Sequence, residues 1–314
     1  MTEPSGAAPV VPDSRDGAAY VIDPEVAFAV RVAEATGRPL LLRGEPGCGK
    51  SSLAAYVARE KGWRYYEHVV TSRTTARDLL WSFDAVRRLA DAQVRTLGAA
   101  LHDVNYVQPG VLWWAFAPEL ARRRGAPEED TDFVPAEDPD PRNAQRAPDK
   151  AVVLIDEVDK ADPDLPNGML VPLGSNEFEV TETGARVRHR GGGVQHLIMI
   201  TTNEERELPQ AFLRRCVVVW VPEPTEQHLV QVAERHLRYH GAAFGRAERE
   251  LAEQLAGDLL DARVEAQAGG IRPPSTAEYL DAFQAMRELD IGLGSPEWGR
   301  LRGLTLLKVQ QPKA

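Results

Sequence analysis

Gly44-Glu45-Pro46-Gly47-Cys48-Gly49-Lys50-Ser51 is the stretch on which the reading of this chain turns. It follows the apolar run Leu40-Leu41-Leu42 and precedes Ser52-Leu53-Ala54-Ala55, where a helical pattern begins. Strand, glycine-rich loop and helix with the spacing G-x-x-x-x-G-K-[ST] make a phosphate-binding loop. Glycines let the backbone curl so that successive N–H groups face phosphate oxygens, and the helix N-terminus adds its positive dipole end. In such a loop Lys50 reaches the β- and γ-phosphates and the Ser51 hydroxyl holds Mg²⁺. Gly44 to Ser52 are therefore the candidate nucleotide-binding residues. A nucleoside triphosphate site is the starting point.

The chain has 314 residues, enough for one large domain or two modest ones. Its 43% hydrophobic and 27% charged content is that of a globular protein. No apolar run approaches the ~20 residues of a membrane-spanning helix. Residues 1–18, rich in Pro, Gly, Ala and Asp, lack the cationic start and apolar core of a secretory signal and read as a disordered leader. A net charge of −10 argues against a nucleic-acid-coating protein, although a local basic groove is compatible with it. Two cysteines, Cys48 and Cys216, form neither a disulfide framework nor a metal motif, which fits a reducing cytoplasm.

Along the chain, Asp23-Pro24 caps a helix that runs to Gly37, and Pro39 to Arg43 is a short buried strand. Arg64 to Val70 is a second strand. Thr75 to Leu80 is expected to start a helix that continues from about Ser82 to Leu101, with Asp103 to Val107 extended and Val111 to Phe116 helical again. A core helix is thus interrupted by an insertion at about 79–110. Trp113 and Trp114 read as packing residues rather than a base-stacking platform. Residues 122–150 carry five prolines among many acidic residues, and the expectation is a solvated loop that buries too little to order itself. Ala151 to Ile155, Leu197 to Ile200 and Cys216 to Val221 are further strands. Glu177 to Arg190 is a hairpin around Thr183-Gly184. After Pro222-Glu223-Pro224 the pattern turns wholly helical. This predicts an α/β core at 19–223, a parallel sheet with helices on both faces, followed by a smaller all-helical lid at 224–314.

Asp156-Glu157 closes the clearest buried strand. An acidic pair there is the second component of an ATP-hydrolysing site: Asp156 binds Mg²⁺ and Glu157 polarises the attacking water as general base. Asn203 ends another strand, as expected of a polar group between the γ-phosphate and that water, although a strand-ending Asn is also an ordinary turn former. Arg214-Arg215 precede the last strand, where an arginine could reach the site of a neighbouring subunit; Arg215 is preferred over Arg214. Arg272, before Pro273-Pro274-Ser275, either folds over the phosphates or is a lone surface arginine. His236 and His240 lie four apart without the Glu of H-E-x-x-H, so no metal site is read there.

Taken in order, the loop Gly44–Ser51, Asp156-Glu157, Asn203, Arg215 and a helical lid with Arg272 resemble the AAA+ ATPases from about Tyr20 onward. Within them the chain is most similar to the MoxR group, in the clade with an insertion in the second core helix. Thr75-Ala76-Arg77-Asp78-Leu79-Leu80 with Val107-Gln108-Pro109-Gly110-Val111-Leu112 resembles the segment where the insertion leaves and rejoins. Asp156-Glu157-Val158-Asp159-Lys160-Ala161-Asp162 and Leu208-Pro209-Gln210-Ala211-Phe212-Leu213-Arg214-Arg215 resemble the acidic strand end and the finger helix. The chain departs from the group in Arg214, where Asp is usual, in the long acidic tract, and in Arg272-Pro273-Pro274-Ser275. The resemblance implies ATP and Mg²⁺ as ligands and a homo-oligomer, a hexameric ring, that remodels, loads or activates a partner protein, such as one carrying a von Willebrand factor A domain. The alternatives are a nucleic-acid-translocating NTPase like the McrB restriction subunits and a nucleotide-gated scaffold with little turnover.

Overall fold

A computed structural model describes residues 17–94, 101–189, 195–269, 272–292 and 294–306. The leader expected at 1–18 therefore lies almost wholly outside the described residues. In chain order the core comprises α1 (Pro24–Thr36), β1 (Leu40–Arg43), α2 (Lys50–Lys61), β2 (Trp63–Val69), β3 (Trp81–Phe83), α3 (Ala85–Val94), β4 (Val107–Pro109), α4 (Val111–Phe116), α5 (Pro118–Arg122) and β5 (Ala147–Asp156). It continues through α6 (Asp164–Ser175), β6 (Glu177–Val180), β7 (Ala185–Arg188), β8 (Gln195–Thr202), α7 (Gln210–Leu213) and β9 (Val217–Trp220). Four helices follow: α8 (Glu226–Tyr239), α9 (Arg246–Ala268), α10 (Thr276–Glu288) and α11 (Pro296–Thr305).

Five strands form one parallel sheet in the order β2-β5-β8-β1-β9. Successive side chains of a strand point to opposite faces, and a parallel sheet is covered on both, so its strands are apolar at nearly every position. Leu40, Leu42, Val152, Leu154, Leu197 and Met199 pack with α1 and α2 on one face. Leu41, Val153, Ile155, Ile198 and Ile200 pack on the other with Trp113, Phe116, Met169 and Phe212, which come from α4, α6 and α7. The α/β fold class expected from the apolar runs is the one observed. The C-terminal helices have a core of their own around Leu229, Leu255, Leu259, Tyr279, Phe283 and Trp298.

Several local expectations are corrected. Residues 75–80 form turns rather than a helix, because the carbonyls of Leu79 and Leu80 accept the N–H groups of Leu112 (3.0 Å) and Gly110 (2.8 Å) from the rejoining segment instead of continuing a helical ladder. Ser82 lies in a strand, since β3 pairs antiparallel with β4, and the helix begins only at Ala85. Asp103–Tyr106 is a 3₁₀ turn rather than extended chain. The acidic tract also buries more than its composition suggested. Arg124 is buried and donates to the carbonyls of Val134 (2.7 Å) and Val107 (2.5 Å). Asn143 is buried too; its side chain accepts from the Tyr65 N–H and donates to the Tyr65 carbonyl along β2. Polar side chains that satisfy backbone groups supply the order that apolar content does not.

The paired strands β3-β4 and β6-β7 stand outside the main sheet and touch each other. Trp81 stacks on Phe178 with centroids 5.6 Å apart and planes at 4°, and its indole N–H donates to Glu182 at 2.7 Å. Arg77 pairs with the same carboxylate. Trp113 and Trp114 are buried, Trp113 edge-on to Phe178 and Trp114 stacked on Tyr66.

Candidate active site

The C-terminal ends of β1, β5 and β8 meet at one edge of the sheet, where parallel α/β folds bind ligands. β1 delivers the loop, which turns into α2 at Lys50. Gly47 (φ +81°) and Gly49 (φ +90°) adopt left-handed conformations that favour glycine. A Cβ on Gly47 would also lie 2.3 Å from Cβ of Ser275, so the loop is in tight contact with the residue that caps α10. Lys50 is buried, and its ammonium donates to the carbonyls of Gly44 (2.7 Å) and Glu45 (2.9 Å).

Ser51 and Asp156 come together across the sheet, the Ser51 hydroxyl donating to Asp156 Oδ1 at 2.7 Å. Asp156 is 2% exposed, and the same oxygen accepts from the Thr201 hydroxyl at 2.6 Å. Thr201 Oγ1 in turn accepts the Glu157 N–H at 2.8 Å. One threonine on β8 thus anchors both acidic residues at the end of β5. Glu157 needs that anchor, because its φ of +61° is a left-handed conformation that costs a non-glycine residue about 1 kcal/mol or more.

The Glu157 carboxylate is engaged at both oxygens. Lys160 Nζ donates to Oε2 at 2.5 Å, and the Asn203 amide approaches Oε1 at 3.4 Å. Hydrogen bonding to Glu157 raises the pKa of Lys160 above its ordinary value. Asn203 is held by the buried carboxylate of Asp159, whose Oδ2 accepts the backbone N–H of Asn203 (3.1 Å) and of Glu205 (2.9 Å). Beside this group opens a cleft of about 440 Å³ lined by Val69–Ser72, Glu157, Asp159, Lys160, Glu205 and Arg206.

Lys50, Ser51, Asp156, Glu157 and Asn203 therefore share one neighbourhood, and Arg214 and Arg215 lie away from it. Arg214 and Arg215 are exposed; Arg215 donates to the Ala211 carbonyl, and Arg38 donates to that of Arg214. β9 runs parallel to β1 with Val217 beside Leu40, so Arg215 lies at the N-terminal edge of the sheet. At ~3.3 Å per residue that is roughly 13 Å from the edge carrying the phosphate loop of the same chain. Arg272 is exposed, three residues before Ser275. Ser52 follows Ser51 on α2, half-buried.

Thr201 and Asp159 are site residues that sequence reasoning gave no role. Their only sequence signals are a hydroxyl two positions before Asn203 and a second aspartate three positions after Asp156. Burial pushes the Cys48 thiol up in pKa against the lowering influence of Lys50. Among the described residues no group of three or more His, Cys, Asp or Glu could hold a metal, and His236 and His240 pack edge-on to each other.

Among solved structures the chain is similar to a variant of Thermotoga maritima RuvB at 12% identity, covering 85% of this chain and 69% of that one, with a TM-score of 0.41. It is also similar to the RuvB Holliday junction branch migration motor of the same organism at 14% identity, covering 85% and 68%, with a TM-score of 0.39. No curated protein matches it. The sequence pattern of the AAA domain, dynein-related subfamily, matches residues 39–216, from the start of β1 to the end of the segment bearing Arg214 and Arg215. That match takes in more than half of the chain and every core residue of the site just described, and by it the chain belongs to the AAA domain family.

Proposed function

We propose that this chain is an ATPase that works as a homo-oligomer and uses ATP hydrolysis to remodel, load or activate a partner protein, in the manner of the MoxR-like group. The observation that supports it best is the convergence of Lys50, Ser51, Asp156, Glu157 and Asn203 at the ends of three neighbouring strands. The loop supplies backbone N–H groups, the α2 dipole and the Lys50 ammonium to a triphosphate; Lys50 then exchanges its carbonyl partners for phosphate oxygens.

The donor set fits Mg²⁺. A hydroxyl and a carboxylate oxygen lie 2.7 Å apart at Ser51 and Asp156, and Mg²⁺ is bound by one or two protein oxygens together with phosphates and water. Bound there, the ion would neutralise charge that develops on the phosphates. Glu157 takes the proton of the attacking water, and Asn203, fixed by Asp159, orients that water from the other side. Arg215 acts on the site of the next subunit, since the fold keeps it away from its own.

The coupling of β3-β4 to β6-β7 through Trp81, Phe178 and Glu182 supports a remodelling role, because the two strand pairs then act as one body toward a client. A client carrying a von Willebrand factor A domain is the partner the MoxR resemblance favours, and the site of action is the cytoplasm. Among the described residues no helix is long and apolar enough to cross a membrane. The test is equilibrium binding and hydrolysis of ATP with Mg²⁺ by the wild type and by Lys50→Ala. The wild type should bind and turn over ATP, and Lys50→Ala should lose both. A folded wild type that binds no ATP overturns the proposal.

A further inference from the structure

Arg263 lies on α9 and is 2% exposed. A buried guanidinium is costly unless its donors are paired. Nη1 donates to the Pro274 carbonyl at 2.6 Å, Nη2 donates to Glu223 at 3.1 Å, and Nε has no partner. Its only carboxylate partner among the described residues, Glu223, is nearly half exposed and so compensates the buried charge weakly.

The three connected positions have different addresses. Glu223 stands in the Pro222-Glu223-Pro224 link between the sheet and the C-terminal helices. Pro274 immediately precedes Ser275, the N-cap of α10. Ser275 is the residue that leaves no room for a Cβ on Gly47, and the Thr276 N–H donates to the Gly47 carbonyl at 3.3 Å. The charge of Arg263 is also felt by the Cys48 thiol inside the loop.

We propose that Arg263 is a positioning residue that ties the C-terminal helices to the phosphate loop: through the Pro274 carbonyl it seats the N-terminus of α10 on Gly47, so that filling the loop and seating α10 become one event. An anion in the loop adds the counter-charge that Glu223 supplies only in part, and so tightens the seat. The inference rests on the loop binding a nucleoside triphosphate.

Hydrogen exchange of full-length Arg263→Lys against wild type tests it, with and without MgATP. Lysine keeps the charge but cannot span Pro274 and Glu223 together. Without nucleotide, the amides of Thr276–Tyr279 should exchange at least fivefold faster in Arg263→Lys while the β-sheet amides keep their protection. With MgATP, wild type should gain protection at Thr276–Tyr279, and the variant should bind about tenfold more weakly without that gain. Glu223→Gln, which keeps a hydrogen-bond acceptor and removes the charge, should speed nucleotide-free exchange at Thr276–Tyr279 by less than Arg263→Lys does. Unchanged exchange at Thr276–Tyr279 in a folded Arg263→Lys overturns the tie, as does a variant that keeps wild-type affinity and the MgATP-induced protection. A wild type that binds no MgATP overturns the nucleotide reading instead, and the nucleotide-free comparison then decides the tie alone.

Discussion

The Lys160 ammonium sits 2.5 Å from the Glu157 carboxylate, three residues along the same turn, while Asn203 approaches the other oxygen. A general base so engaged has fewer lone pairs to offer a water. The pair also lines the cleft formed with Val69–Ser72 and Arg206. We predict that Lys160→Ala raises basal ATP turnover about threefold to tenfold, the scale of a barrier lowered by about 1 kcal/mol. Steady-state phosphate release measures this. A lower rate would instead make Lys160 a supporter of Glu157.

Arg215 provides the second prediction. Arg215→Ala should bind ATP within about twofold of wild type and lose roughly three orders of magnitude in turnover, as finger residues do. Mixed with Glu157→Gln it should regain activity, because one interface then pairs an intact Glu157 with an intact Arg215. Absence of rescue in preparations shown to contain mixed assemblies would place the catalytic arginine elsewhere.

How much of this was legible in the sequence depended on range. The phosphate loop and the Asp156-Glu157 strand end are local patterns, and apolar runs of four or five residues sufficed for the parallel sheet. Thr201 was not legible, because its role arises only when β8 pairs with β5 and brings its hydroxyl between Asp156 and Glu157. Arg263 was hidden for the same reason: one arginine on a long helix says nothing until Glu223 and Pro274 fold around it. The 75–80 segment misled in the opposite direction, since its helical composition yields to the bonds that the Leu79 and Leu80 carbonyls make with Leu112 and Gly110, far ahead in the sequence.

His196, at the start of β8, supplies a pH prediction. Burial lowers its pKa from 6.5 to about 4, with the nearby His189 acting in the same direction, and its ring packs on Phe116. Between those values the folded chain keeps His196 neutral while the unfolded chain protonates it, so the unfolded state binds more protons and stability falls as pH falls from 6.5 toward 4. The contribution at pH 5 is about 2 kcal/mol of destabilisation. Urea unfolding at pH 7.5 and pH 5 should show that His196→Phe loses less stability than wild type over this interval. Equal losses would mean that His196 is not the group responsible.

The most direct measurement is single-turnover hydrolysis of MgATP by Glu157→Gln beside wild type, with bound nucleotide followed in the same samples. The side chain keeps its shape and loses its basicity. The account predicts that Glu157→Gln retains ATP at wild-type occupancy and slows cleavage by at least about a hundredfold, the lower end of what a positioned base contributes. Cleavage at the wild-type rate with ATP bound would contradict it.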